Sequence, residues 1–170
     1  MKIENIRIKL PKKDAGIENF YQNCEKRKKF IEVEKGDYLQ HLKKSKHDLY
    51  RAIKEYEDKC WDWTVIKAYY SIHHAANALL LKKKGLLCKD HSCLIISLKY
   101  HNLIKEDLFK ELSKMNESFA DVLGLDLAFQ LRKLSQYDVN EWENITQENA
   151  SLIITIAKKV VSFVENEIAQ

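Results

Sequence analysis

Proline and glycine are nearly missing from this chain, with one Pro and four Gly in 170 residues. So few turn-formers leave little room for the many tight turns of a sandwich, a barrel or an open α/β sheet. No stretch approaches the roughly 18 uncharged apolar residues of a membrane span. The basic N-terminus also lacks the apolar core of a signal peptide, so a cytoplasmic protein with no membrane contact is expected. There is no glycine-rich phosphate loop, no HExxH helix and no paired-carboxylate motif. No metal or cofactor is therefore expected. The four cysteines (Cys24, Cys60, Cys88, Cys93) show no framework spacing, and reduced thiols are expected of them.

What is present is apolar and charged in helical proportion: 45% hydrophobic and 32% charged residues. The net charge of +4 is unevenly placed. Residues 1–51 carry 14 Lys/Arg against 8 Asp/Glu, and the run Lys26-Arg27-Lys28-Lys29 is its peak. Such a patch is an electrostatic footprint for phosphates, or simply a solvated helix face. Residues 2–10 alternate charged and apolar up to Pro11, as in a short arm or edge strand. Residues 15–34 read as an outer helix with a weak apolar face, ended by Gly36-Asp37.

From Tyr38 to Lys59, Leu39, Leu42, Leu49, Ile53 and Tyr56 recur at helical steps and predict an amphipathic helix. Trp63 to Lys84 is apolar around most of its circumference and should be the central helix. Lys82-Lys83-Lys84 and Gly85 suit its C-terminus. Asp90 or Ser92 can cap a helix to about Tyr100. A further helix is predicted over 105–115; residues 116–140 carry no single pattern, with helical pieces around 123–134; a last helix follows Thr146 with Ile153, Ile156, Val160, Val164 and Ile168 as its stripe. The fold class is all-α: an up-and-down bundle of about five core helices at 36–170, with residues 1–35 as an N-terminal extension (an arm plus a basic helix).

Several segments together carry a resemblance. His47-Asp48-Leu49 precedes a Trp-rich junction; Ala68-Tyr69-Tyr70-Ser71-Ile72-His73-His74-Ala75-Ala76-Asn77-Ala78-Leu79-Leu80 leads to Lys89-Asp90-His91-Ser92; Arg132 is followed by Tyr137-Asp138, and the closing helix contains Phe163-Val164-Glu165. Over roughly residues 38–168 this pattern resembles the HEPN domain family, in particular its small stand-alone members. The resemblance implies a helical bundle that often homodimerises and often pairs with a minimal nucleotidyltransferase in toxin–antitoxin modules. Many such proteins are metal-independent ribonucleases, and others are nucleotide-binding or structural modules. The resemblance implies, for the nuclease members, an Arg followed about four to six residues later by a His, with a polar residue usually right after the Arg. Here Arg132-Lys133-Leu134-Ser135-Gln136-Tyr137 puts a tyrosine there.

That departure bears on chemistry. Metal-independent RNA cleavage needs a group that moves a proton near neutral pH, which suits histidine, and one that holds phosphate, which suits arginine. Tyrosine titrates near 10 and makes a poor base. Arg132, Tyr137, Asp138 and His91 are therefore the expected ligand-binding residues for a nucleotide or RNA, with the standard nuclease chemistry lost. Two alternatives stand beside this: an active toxin using Arg132 with His73 or His74 as the substitute base, and a non-enzymatic adaptor. His73 and His74 diverge by about 100° on one helix, so they do not share a metal, and one of them is expected to be a satisfied interior residue. Cys88-x-x-His91-x-Cys93 falls short of the four ligands that zinc takes. Trp61, Trp63 and Trp142 are expected as core and rim aromatics.

Overall fold

A computed structural model describes residues 10–11, 13–104, 123–138, 140 and 142–170. The arm expected at 2–10 lies outside the described residues except for Leu10, and the helix expected at 105–115 lies outside them entirely. Six α-helices are present among the described residues: α1 (Asp14–Lys26), α2 (Tyr38–Glu57), α3 (Trp61–Lys84), α4 (His91–Tyr100), α5 (Leu123–Tyr137) and α6 (Gln147–Ala169). Two short strands, β1 (Phe30–Glu32) and β2 (Leu86–Cys88), pair antiparallel, with Phe30 opposite Cys88. The fold is an all-α bundle with this ribbon at one side.

α3 is the centre. Val65, Ala68, Ile72, Ala75, Ala78, Leu79, Leu80 and Leu81 are all buried, and the helix packs against α2, α5 and α6. Apolar side chains on every face leave it no solvent side, which is why its neighbours surround it. Gly85 ends it at φ 73°, a left-handed conformation that costs glycine nothing, and its N–H bonds to the Leu81 carbonyl at 2.8 Å. Ser45 lets α2 approach closely, its Oγ donating to the Ser71 carbonyl at 2.8 Å. α6 begins with a reciprocal cap. The Thr146 side chain accepts from the Asn149 N–H, and the Asn149 side chain accepts from the Thr146 N–H.

Two expectations fail in the N-terminal segment. The helix predicted to residue 34 stops at Lys26, and the chain turns through Lys28 at φ 53° into β1. The Lys28 and Lys29 N–H groups bond back to the Glu25 and Cys24 carbonyls at 2.8 and 3.0 Å and close the helix end, and Phe30 and Ile31 then suit a strand. The reduced-thiol expectation fails for one pair: Cys24 and Cys93 form a disulfide, and their Cα atoms are 5.8 Å apart. The cause is the docking of α1 on α4, which buries both residues where the helices meet. Cys60 and Cys88 are free. Trp61 packs on Tyr56, while Trp63 and Trp142 are exposed. No helix among the described residues is long and apolar enough to cross a membrane.

Candidate functional site

Arg132 lies on the inward face of α5, with only 5% of its surface exposed. Its Nη2 donates to two phenol oxygens, Tyr70 at 2.8 Å and Tyr137 at 3.0 Å. The guanidinium carbon sits 4.8 Å from the centre of the Tyr137 ring, 5.4 Å from Tyr70 and 6.0 Å from Tyr69. Its Nε has no hydrogen-bond partner, and neither does the buried Ser135 Oγ one turn on. Among the described residues no carboxylate pairs with this cation. Burying an unpaired charge is costly. Three aromatic rings offset part of that cost through their negative faces, but they supply no counter-charge.

A second group adjoins the first through Tyr69. The Tyr69 hydroxyl is hydrogen-bonded to His91 Nδ1. The His91 imidazole stacks on Phe129 with ring centres 4.9 Å apart, and the His73 ring lies 4.7 Å from it. Burial, and next the Arg132 charge, push His91 down to about 4, with Asp90 opposing. Burial, and next His91, push His73 down to about 3. Both rings are neutral at neutral pH. His73 Nε2 is 3.3 Å from Asn77 Nδ2, and its Nδ1 has no partner.

The remaining candidates lie elsewhere. His74 faces α2, where its Nδ1 is 3.3 Å from His41 Nδ1 and its Nε2 is 3.9 Å from the buried Asp48. Asp138 accepts from the Asn140 N–H at 3.0 Å and so shapes its own turn. Thus Arg132 and Tyr137 meet, and Tyr69 joins Arg132 to His91 and His73, whereas His74 turns to α2 and Asp138 to its own turn. Sequence reasoning did not single out Tyr69, Tyr70 or Phe129. The doublet before His73, one helical turn upstream, is the signal that could have found the tyrosines.

His91 is also the first residue of α4, whose cap is Asp90, its Oδ1 accepting from the Cys93 N–H at 3.0 Å. Asn77 clamps the preceding strand to α3, bonding both the N–H and the carbonyl of Cys88 at 2.9 and 3.0 Å. These bonds fix the position of Lys89-Asp90-His91. Beside them opens a cleft of about 540 Å³, lined by Lys28, Lys29, Ile31, Lys89, Asp90, His91, Ser92 and Phe129. The Cys88-x-x-His91-x-Cys93 pattern does not form a metal centre. Cys93 is in the disulfide, and burial pushes the Cys88 thiol up to about 12. No group of three or more His, Cys, Asp or Glu among the described residues is placed to hold a metal ion.

A family model of the HEPN domain matches residues 38–167, most of the chain and every element from α2 to α6. The chain belongs to the HEPN domain family. Among curated proteins none matches it. Membership supports a nucleotide- or RNA-related function, and HEPN proteins are often ribonucleases. The match begins at the first residue of α2, so Lys28 and Lys29 in the turn between α1 and β1, and Ile31 in β1, line the cleft from ahead of it.

Proposed function

We propose that this HEPN protein binds a nucleotide or RNA through a phosphate held by Arg132, and that it lacks the standard nuclease chemistry of its family. The observation that carries this reading is the buried guanidinium, which among the described residues has no carboxylate partner, an orphan Nε and two phenols as its hydrogen-bond acceptors. A phosphate oxygen on the Nε edge would supply the missing charge in a geometry that suits arginine. Tyr137 is 64% exposed and offers a ring for a base as well as its hydroxyl. In this reading residues 1–35 are an extension of a HEPN unit at 36–170. The protein works as a homodimer, in a toxin–antitoxin or defence module, with a minimal nucleotidyltransferase as its partner.

An active ribonuclease is the second reading, favoured by the placement of His91 and His73 beside Tyr69. In the tautomer whose His91 Nδ1–H donates to the Tyr69 oxygen, Nε2 is the atom left to take a proton. A base near 4 is weak against a ribose hydroxyl, since general bases work best with a pKa near the operating pH. The balance therefore falls on binding. The adaptor reading would need Arg132 tied up in an ion pair, and none is formed among the described residues.

The test is Arg132→Ala, compared with the parent for mononucleotide binding by calorimetry and for RNA cleavage without metal. Loss of binding by at least about tenfold, with no cleavage by the parent, is the expected result; one charge-assisted bond is worth roughly 1.5–3 kcal/mol. Metal-independent cleavage abolished by Arg132→Ala or His91→Ala would establish the nuclease instead. Unchanged binding with no cleavage would leave the adaptor.

A further inference from the structure

The cleft beside α4 has walls of two origins. Lys28 and Lys29 come from the turn between α1 and β1, ahead of the family match, and Lys89, His91 and Phe129 come from the HEPN domain. Lys133 adds a fourth cation at its edge, with Nζ 5.5 Å from the centre of the Phe129 ring. Among the described lining residues the one carboxylate is Asp90. One of its oxygens caps α4, and the other is 3.5 Å from Lys29. The cleft is therefore basic, and its floor is the stacked His91–Phe129 pair.

We infer that this cleft is a groove for the backbone of single-stranded RNA, completed by the N-terminal extension and continuous with the Arg132 cluster through His91. Lysine ammoniums are compact, mobile point charges that follow phosphates without reading sequence, and an aromatic floor accepts any base. The volume, about 540 Å³, lies in the range of roughly 300–1,000 Å³ that holds one small ligand. It is thus room for about one nucleotide of a longer strand, with cations at the mouth for its neighbours. His91 joins the two sites physically, because it lines the groove and bonds Tyr69, over whose ring Arg132 lies. The α1–α4 disulfide sets the extension in place, since Lys28 and Lys29 follow Cys24 by a single turn of chain. This groove deepens the nucleotide- or RNA-binding reading and rests on it, but it can fail separately.

The experiment measures binding of a fluorescent oligouridine of about ten nucleotides by anisotropy, over about 50–200 mM salt. It compares the parent with the triple variant Lys28→Ala, Lys29→Ala, Lys89→Ala. The variant should bind at least about tenfold more weakly. Its log–log salt slope should shrink by about 2, close to 0.7 for each phosphate that the three lysines neutralise in the parent. Mononucleotide binding that depends on Arg132 should be kept. A control removes the same charge at the exposed Lys43, Lys83 and Lys158. If it weakens RNA binding equally, only net charge matters and the groove is wrong. Lys89→Glu alone, a surface change, should act in the same direction and guards against misfolding of the triple variant. Polyglutamate competing as well as RNA of equal charge would overturn the proposal in favour of an acidic peptide. If the parent binds mononucleotide through Arg132 but no RNA, the groove alone fails; if it binds neither, the earlier reading fails as well.

Discussion

His73 is the side chain most displaced from its ordinary chemistry. Burial, then the neighbouring His91, His74, His41 and Arg132, push it down from 6.5 to about 3. An unfolded chain takes up a proton there near 6.5, and the folded one does not until far lower pH. Between those values the unfolded state binds more protons, so stability falls as pH drops from about 6.5 toward 3. At pH 5 this histidine alone costs roughly 2 kcal/mol, and His91, more open to solvent, adds less. Urea unfolding at pH 7.5 and pH 5 should show the loss in the parent, and His73→Asn should reduce it by about that amount. An equal loss in the variant would sink the assignment. The site was partly legible at this scale. Arg132 and Tyr137, five residues apart on one helix, can meet within α5. The contacts of Tyr69 and Tyr70 with Arg132, and the place of Phe129, could not be read in the same way, because they depend on how α5 is rotated against α3, which no single-helix pattern specifies.

Among the elements, α1 is the one held by covalent chemistry. It contributes Ile17, Tyr21 and Cys24 to the core, docks on α4 and is followed by a strand of only three residues. Tyr21 stacks on Tyr100 at 4.0 Å, and Arg27 reaches over the disulfide, its Nη2 3.5 Å from Cys93 Sγ. Closing a loop across a separation of 69 residues restricts the unfolded chain and stabilises the fold by about 2–4 kcal/mol. Reduction by dithiothreitol, or the pair Cys24→Ala and Cys93→Ala, should lower Tm by several degrees and speed amide exchange in α1 ahead of α2, α3 and α6. Uniform exchange across the helices would contradict this. Neither the bond nor the end of α1 was legible beforehand. Cysteine spacing does not give connectivity, and the helical pattern of residues 15–34 gave no sign of the left-handed turn at Lys28. By contrast α2, α3, α4 and α6 were legible to within a few residues, because their apolar periodicity and caps (Gly85, Asp90, Thr146) agree with the packing.

For the whole molecule, the all-α architecture was readable from scarcity: little proline and glycine, and one helix apolar on all sides that needs surrounding partners. The paired β1 and β2 were not readable, since each is three residues long and takes its meaning from the other. The disulfide has one more consequence, a matter of connectivity. The bond joins two points of the chain between which the whole α2–α3 hairpin lies. The hairpin bends at the exposed Lys59, with φ 60°, and exposed bends are where proteases cut. A single cut by trypsin there should leave two pieces that migrate together on a non-reducing gel and separate once thiol is added. Two pieces already apart without thiol would show that the ring is open. The molecule is in this sense a closed covalent loop with two tails, and its centre can be severed without being released.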